Sequence, residues 1–129
     1  MTTLLEVNEL AKGHTDFHMQ SFDGYRLVLV GSFDLCYYHY IELHFTEVAH
    51  VDCPVWFYSP EFHDEGLIDD AGSSVCEPRR FTIETCEGKY QIIAKNLEVA
   101  LGWVYYYDRS EPLQSGERIA PWVNRRAAE

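Results

Sequence analysis

The run Tyr25–Tyr58, YRLVLVGSFDLCYYHYIELHFTEVAHVDCPVWFY, decides the fold. It is dense in Val, Ile, Leu, Phe and Tyr, residues that suit a pleated, half-buried surface. Asp23-Gly24 marks a turn ahead of it, and Tyr25–Val30 has the continuous apolar character of a buried strand. Gly31-Ser32-Phe33-Asp34 is short enough to turn a hairpin into a second strand, Leu35–Phe45, and a third follows over Val48–Tyr58. Pro54 has no N–H to give a neighbour, so the third strand is expected at an edge or broken at Asp52-Cys53.

Successive side chains of a strand point to opposite faces. Strict alternation therefore puts Leu35, Tyr37, His39, Ile41, Leu43 and Phe45 on one face, and Cys36, Tyr38, Tyr40, Glu42 and His44 on the other. The first face is apolar apart from His39 and is expected to bury, with His39 as a hydrogen-bonded core histidine. The second is amphipathic and leans to solvent. A one-residue slip would drive Glu42 and His44 into the core, which fixes the register.

Working outward, Thr3–Lys12 reads as a short helix. Thr3 and Glu6 form a capping box, Leu4, Val7, Leu10 and Ala11 an apolar stripe, and Gly13 can close the end. His14–Phe22 reads as polar loop. Within it His14, Asp16 and His18 would share a face if extended, a weak candidate set for zinc or iron. Residues 59–79 read as a long acidic loop, with Leu67 and Ile68 as anchors and no calcium-loop pattern. Arg80–Cys86 and Tyr90–Lys95 form a hairpin about Glu87-Gly88-Lys89, and Leu97–Tyr107 is the last strong strand. Residues 110–129 form a polar tail in which Pro121 can open a short helix and Trp122 is the large anchor.

The 129 residues suit one domain, 1–129, and 47 % apolar with 15 % aromatic residues argue against disorder. Net charge is −11, unevenly placed: Leu27–Pro78 holds ten acids and no Lys or Arg. Such a field disfavours nucleic acid, whose phosphates need cations, and favours a basic protein partner by long-range steering. The opening MTTLLEVNELAKGH lacks the basic and apolar regions of a secretory signal, and no run approaches the roughly 18 apolar residues of a membrane span. Cys36, Cys53, Cys76 and Cys86 form no close pair and are expected to be reduced, semi-buried thiols of a cytoplasmic protein.

No Gly-rich phosphate loop or strained Ser elbow occurs, and no cofactor is expected. Cys36 with His39, and Cys53 with His50, differ in strand parity, so neither pair is a nucleophile and base unless a bulge intervenes. The binding candidates are Tyr38, Tyr40, Glu42 and His44 on the wet strand face, with Asp64, Glu65, Asp69 and Asp70 of the acidic loop. Tyrosine is enriched at interface hot spots, and a Glu beside a His could also do acid–base work.

The succession GSFDLCYYHYIELHFTEVAHVDCP, residues 31–54, resembles small strand-rich bacterial domains, among them immunity proteins of contact-dependent and polymorphic toxin systems. The resemblance implies a stoichiometric inhibitor that turns acidic and aromatic side chains against a basic toxin domain. The fold expected is mainly β, α+β by strict count. About six antiparallel strands would form a curved sheet, a sandwich or a partly open barrel with the N-terminal helix packed on it. The function expected is a non-enzymatic protein that docks a basic partner through residues 38 to 70. The alternative is a β domain, with or without enzymatic activity, that binds a small ligand in an aromatic-lined pocket. Exposed edge strands leave homodimerisation open.

Overall fold

Two long strands carry the architecture of the computed structural model, which describes residues 3–12, 15–69 and 75–123. They are β3 (Tyr38–Asp52) and β7 (Gly88–Tyr105), paired antiparallel from Tyr38↔Tyr105 to Asp52↔Gln91. Before them come α1 (Leu4–Ala11), β1 (Asp16–Phe22) and β2 (Arg26–Ser32). Between them lie β4 (Trp56–Tyr58), β5 (Glu61–Leu67) and β6 (Arg79–Thr85), and β8 (Arg118–Ile119) follows. The antiparallel order is β4-β1-β2-β3-β7-β6-β5, curled into a half-barrel, with β8 parallel to the end of β7.

The inner surface is filled by aromatic and branched side chains. Phe17 stacks on Phe57 at 5.7 Å and meets Phe62 edge-on at 5.2 Å, while Phe45 meets Phe81 at 5.3 Å. Phe57 and Phe62 bring the two outermost strands, β4 and β5, together inside the curl. Gly31 is required beneath Phe17, because a Cβ there would sit 2.5 Å from the ring. Helix α1 adds Val7 and Ala11 to this core, and the backbone N–H of Glu6 donates to its N-cap Thr3. Asn8 then takes the place of a neighbouring strand. Its amide donates to the carbonyl of Phe62 (2.9 Å) and accepts from the N–H of Phe62 (2.8 Å), closing part of the β5 edge.

Several expectations change. His14–Phe22 is not loop: β1 occupies Asp16–Phe22, because Phe17 is sealed and Met19 packs on the core. The 59–79 loop contains β5, whose polar sequence hides a strand with one face to solvent and Phe62 as its buried side chain. The two strands expected over 35–58 become one long β3, starting at Tyr38, and a short β4. The break at Pro54 falls where its missing N–H requires, and β4 is an edge strand. Lys95–Leu97 does not interrupt β7. Over 110–123 the tail forms β8 and no helix. Gly13, His14, Asp70 and residues 124–129 lie outside the described residues.

Candidate functional site

A bulge re-aims the side chains of β3. Between His39 and Ile41 the partner strand advances from Val104 to Leu101, so Gly102 and Trp103 together oppose Tyr40. Gly102 has φ +147°, and a Cβ there would lie 2.9 Å from the carbonyl oxygen of Gly116. Strict alternation fails at this point. Tyr40 and Ile41 both join the inner core, while His39 joins Glu42 and His44 in one polar network. The face expected to hold Tyr38, Tyr40, Glu42 and His44 together is therefore divided, and His39 changes sides relative to Ile41.

The polar group is a closed chain of donors around one carboxylate. Arg26 Nη2 donates to Nδ1 of His44 (2.7 Å), which places the imidazole proton on Nε2; that N–H donates to Glu42 Oε1 (2.8 Å). On the other side Nε2–H of His39 donates to Oε2 (2.6 Å), and the Tyr106 hydroxyl donates to Nδ1 of His39. Arg118 Nη2, from β8, also donates to Oε2 at 2.8 Å. The hydrogen bonds from His39 and His44 hold the carboxyl of Glu42 far below the usual range, and Arg118 adds to them. Burial pushes the Tyr106 hydroxyl up, with the Glu42 charge adding to it. Catalytic bases work best with a pKa near the working pH. Glu42 is instead a satisfied anion that ties the tail segment around β8 to β3.

The inner end of β3 opens into an aromatic cluster. Tyr38 lies 4.8 Å from Trp103 and 6.3 Å from Tyr40, and Tyr40 lies 5.3 Å from Trp103 and 5.7 Å from Phe33. Trp103 continues to Tyr105 (6.4 Å), then Tyr107 (5.8 Å) and Tyr37 (6.4 Å). Tyr40 is only 8 % exposed, whereas Phe33, Tyr37, Trp103 and Tyr107 are between 42 and 58 % exposed. A cleft of about 500 Å³ opens between this cluster and the end of α1, lined by Phe33, Tyr40, Trp103, Leu10, Glu9 and Lys12 among others.

The acids expected to join this face sit elsewhere and are partly neutralised. Asp64 on β5 pairs with Arg79 of β6 (3.0 Å), and Glu65 accepts from Thr82 (2.9 Å). Asp69 is exposed just beyond β5, and Asp70 is outside the described residues. Bases from outside the base-free stretch also reach Glu42 and Glu47, through Arg118 and Lys95. Of the metal candidates, Asp16 and His18 lie in β1 and the His18 ring lies tilted against Trp56 at 4.4 Å. Among the described residues no group of three His, Cys, Asp or Glu side chains is placed to hold a metal ion. All four cysteines are free thiols, but Cys36, Cys76 and Cys86 are exposed rather than semi-buried. Burial, with Asp52 adding, pushes the Cys53 thiol up to about 11.

Sequence reasoning missed Trp103, Phe33 and Arg118 and placed His39 on the face of Ile41, but its expectation of a buried, hydrogen-bonded His39 holds. One signal was legible: a lone glycine inside a strand pattern, Gly102 here, marks a bulge. No helix among the described residues is long and apolar enough to cross a membrane. No family model, curated protein or solved structure matches this chain.

Proposed function

We propose that the protein is a non-enzymatic interaction protein that binds a basic protein partner, with the aromatic end of β3 and β7 as its contact surface. The observation that carries this reading is the contiguous ring cluster, which leaves Phe33, Tyr37, Trp103 and Tyr107 open to solvent. Partly exposed Trp and Tyr supply contact area at low entropic cost and are enriched at binding hot spots. The net charge of −11 supports a basic partner by steering. Glu42, held ionised and enclosed by three donors, supports a structural part for that carboxylate rather than proton transfer. Inhibition of a basic toxin domain is the narrower form of this reading, implied by the resemblance of residues 31–54. The cleft at Phe33, Tyr40 and Trp103 favours a second reading, a small aromatic-stacking ligand.

The test is a complex recovered with the purified protein and a basic partner encoded beside its gene. Its association rate should fall with salt, and fall again when the exposed acids Glu61, Glu65 and Asp69 are changed to Lys. A complex indifferent to salt and to all three reversals rejects a charge-steered basic partner.

A further inference from the structure

The cleft between the end of α1 and the β3–β7 bulge has the chemistry of a seat for one guanidinium group. We propose that it receives an arginine side chain of the partner, an inference that rests on the interaction reading above. Three rings line it, Phe33, Tyr40 and Trp103, together with Leu10 and Leu101, and Tyr38 backs Trp103 at 4.8 Å. The faces of such rings are electron-rich and attract cations, arginine more often than lysine, because the flat guanidinium stacks as well as pairs.

The same row of rings already holds one such group. The guanidinium carbon of Arg109 lies 4.3 Å from the ring centre of Tyr105, and Tyr105 stacks against Trp103 with ring planes 19° apart. The cleft begins one ring along that row, at Trp103. The rim carries one acid. Glu9 lines the cleft where α1 ends at Ala11, and Lys12 is the C-cap residue there. Lys12 shares the rim, 2.9 Å from Glu9, but both side chains are well exposed. Exposed pairs of this kind contribute little, so Glu9 can exchange Lys12 for an incoming guanidinium. About 500 Å³ accommodates a single long side chain with its flanking backbone outside.

The probe is a blocked tripeptide, acetyl-Gly-Arg-Gly-amide, titrated into the whole protein and followed by calorimetry, with the NMR shift of the Trp103 indole N–H locating the site in the native protein. Its counterpart carries citrulline, which has nearly the same shape without the charge. The arginine peptide should shift Trp103 and bind about tenfold more tightly than the citrulline peptide, the scale of a partly desolvated cation–π contact. Trp103→Leu should abolish the calorimetric binding, Trp103→Phe should retain part of it, and Glu9→Gln should weaken it several-fold. Circular dichroism of each variant separates loss of the seat from loss of the fold. Equal response to both peptides, shifts centred away from Trp103 and Tyr40, or binding of methyl glucoside in preference to either peptide would overturn the assignment. The two readings fail separately. A salt-sensitive partner complex that survives Trp103→Leu sinks the arginine seat alone, whereas indifference to salt and to the three acid reversals sinks the basic-partner reading even if the tripeptide binds.

Discussion

The two faces of β3 make opposite use of polar and aromatic side chains. On one face His39, Glu42 and His44 are joined to Arg26, Tyr106 and Arg118, so each polar atom named in that chain has its partner. On the other, the apolar surface is sealed at Phe45 and opens progressively through Tyr40 to Tyr38 and Trp103. The residue types alone suggest the reverse, with charged groups meeting a partner and aromatic groups filling a core. What decides is whether a group is satisfied within the chain. A carboxylate with three donors has little left to offer, while a half-exposed ring keeps free area.

That contrast can be broken by substitution, beginning at the sealed end of the aromatic face. Phe45→Ala removes a ring packed on Phe81 and should cost about 3–5 kcal/mol in denaturant unfolding, with the cavity adding to the transfer loss. A cost under about 1 kcal/mol would mean that the inner face is not the core described.

Glu42→Gln comes next. It weakens or removes the acceptor for two imidazole N–H groups and for Arg118, and should cost about 1–3 kcal/mol at neutral pH. The folded carboxyl is held below its ordinary value of 4.5, so its contribution is complete above that value and fades as pH falls toward the folded pKa. Stability curves of the native protein and Glu42→Gln should accordingly be furthest apart near pH 7 and converge under acid. Parallel curves down to pH 2 would show that Glu42 is not the anion of this network.

The smallest effect belongs to the open end. Trp103, 42 % exposed, can become Leu at a cost of under about 1.5 kcal/mol, while its loss should be felt in binding. If Trp103→Leu unfolds the protein as readily as Phe45→Ala, the ring cluster is core rather than contact surface.

Part of this was legible in the chain. The buried strand expected over Tyr25–Val30 and found at Arg26–Ser32, the hairpin that joins β6 to β7, the capping of α1 by Thr3 and the interruption at Pro54 all follow from local chemistry, each signal lying within a few residues of its effect. β1 and β5 were hidden because only one side chain apiece, Phe17 and Phe62, is sealed while their other apolar residues, Met19, Phe22 and Leu67, are partly or well exposed, too little for a periodic signal. Residues 59–79 looked like loop for the same reason. The acidic stretch looked like a single face because its neutralising bases, Arg79, Lys95 and Arg118, come from later strands.

The sequence by itself determined that the chain makes an acidic, tyrosine-rich, mainly antiparallel sheet with one short helix, because strand periodicity, turn residues and charge are local properties. Only the tertiary structure decided which side of β3 stays wet. One bulge opposite Tyr40 accompanies the reversal of side-chain parity, and Gly102 within it lies close against Gly116, a contact between segments that alternation along a single strand does not record.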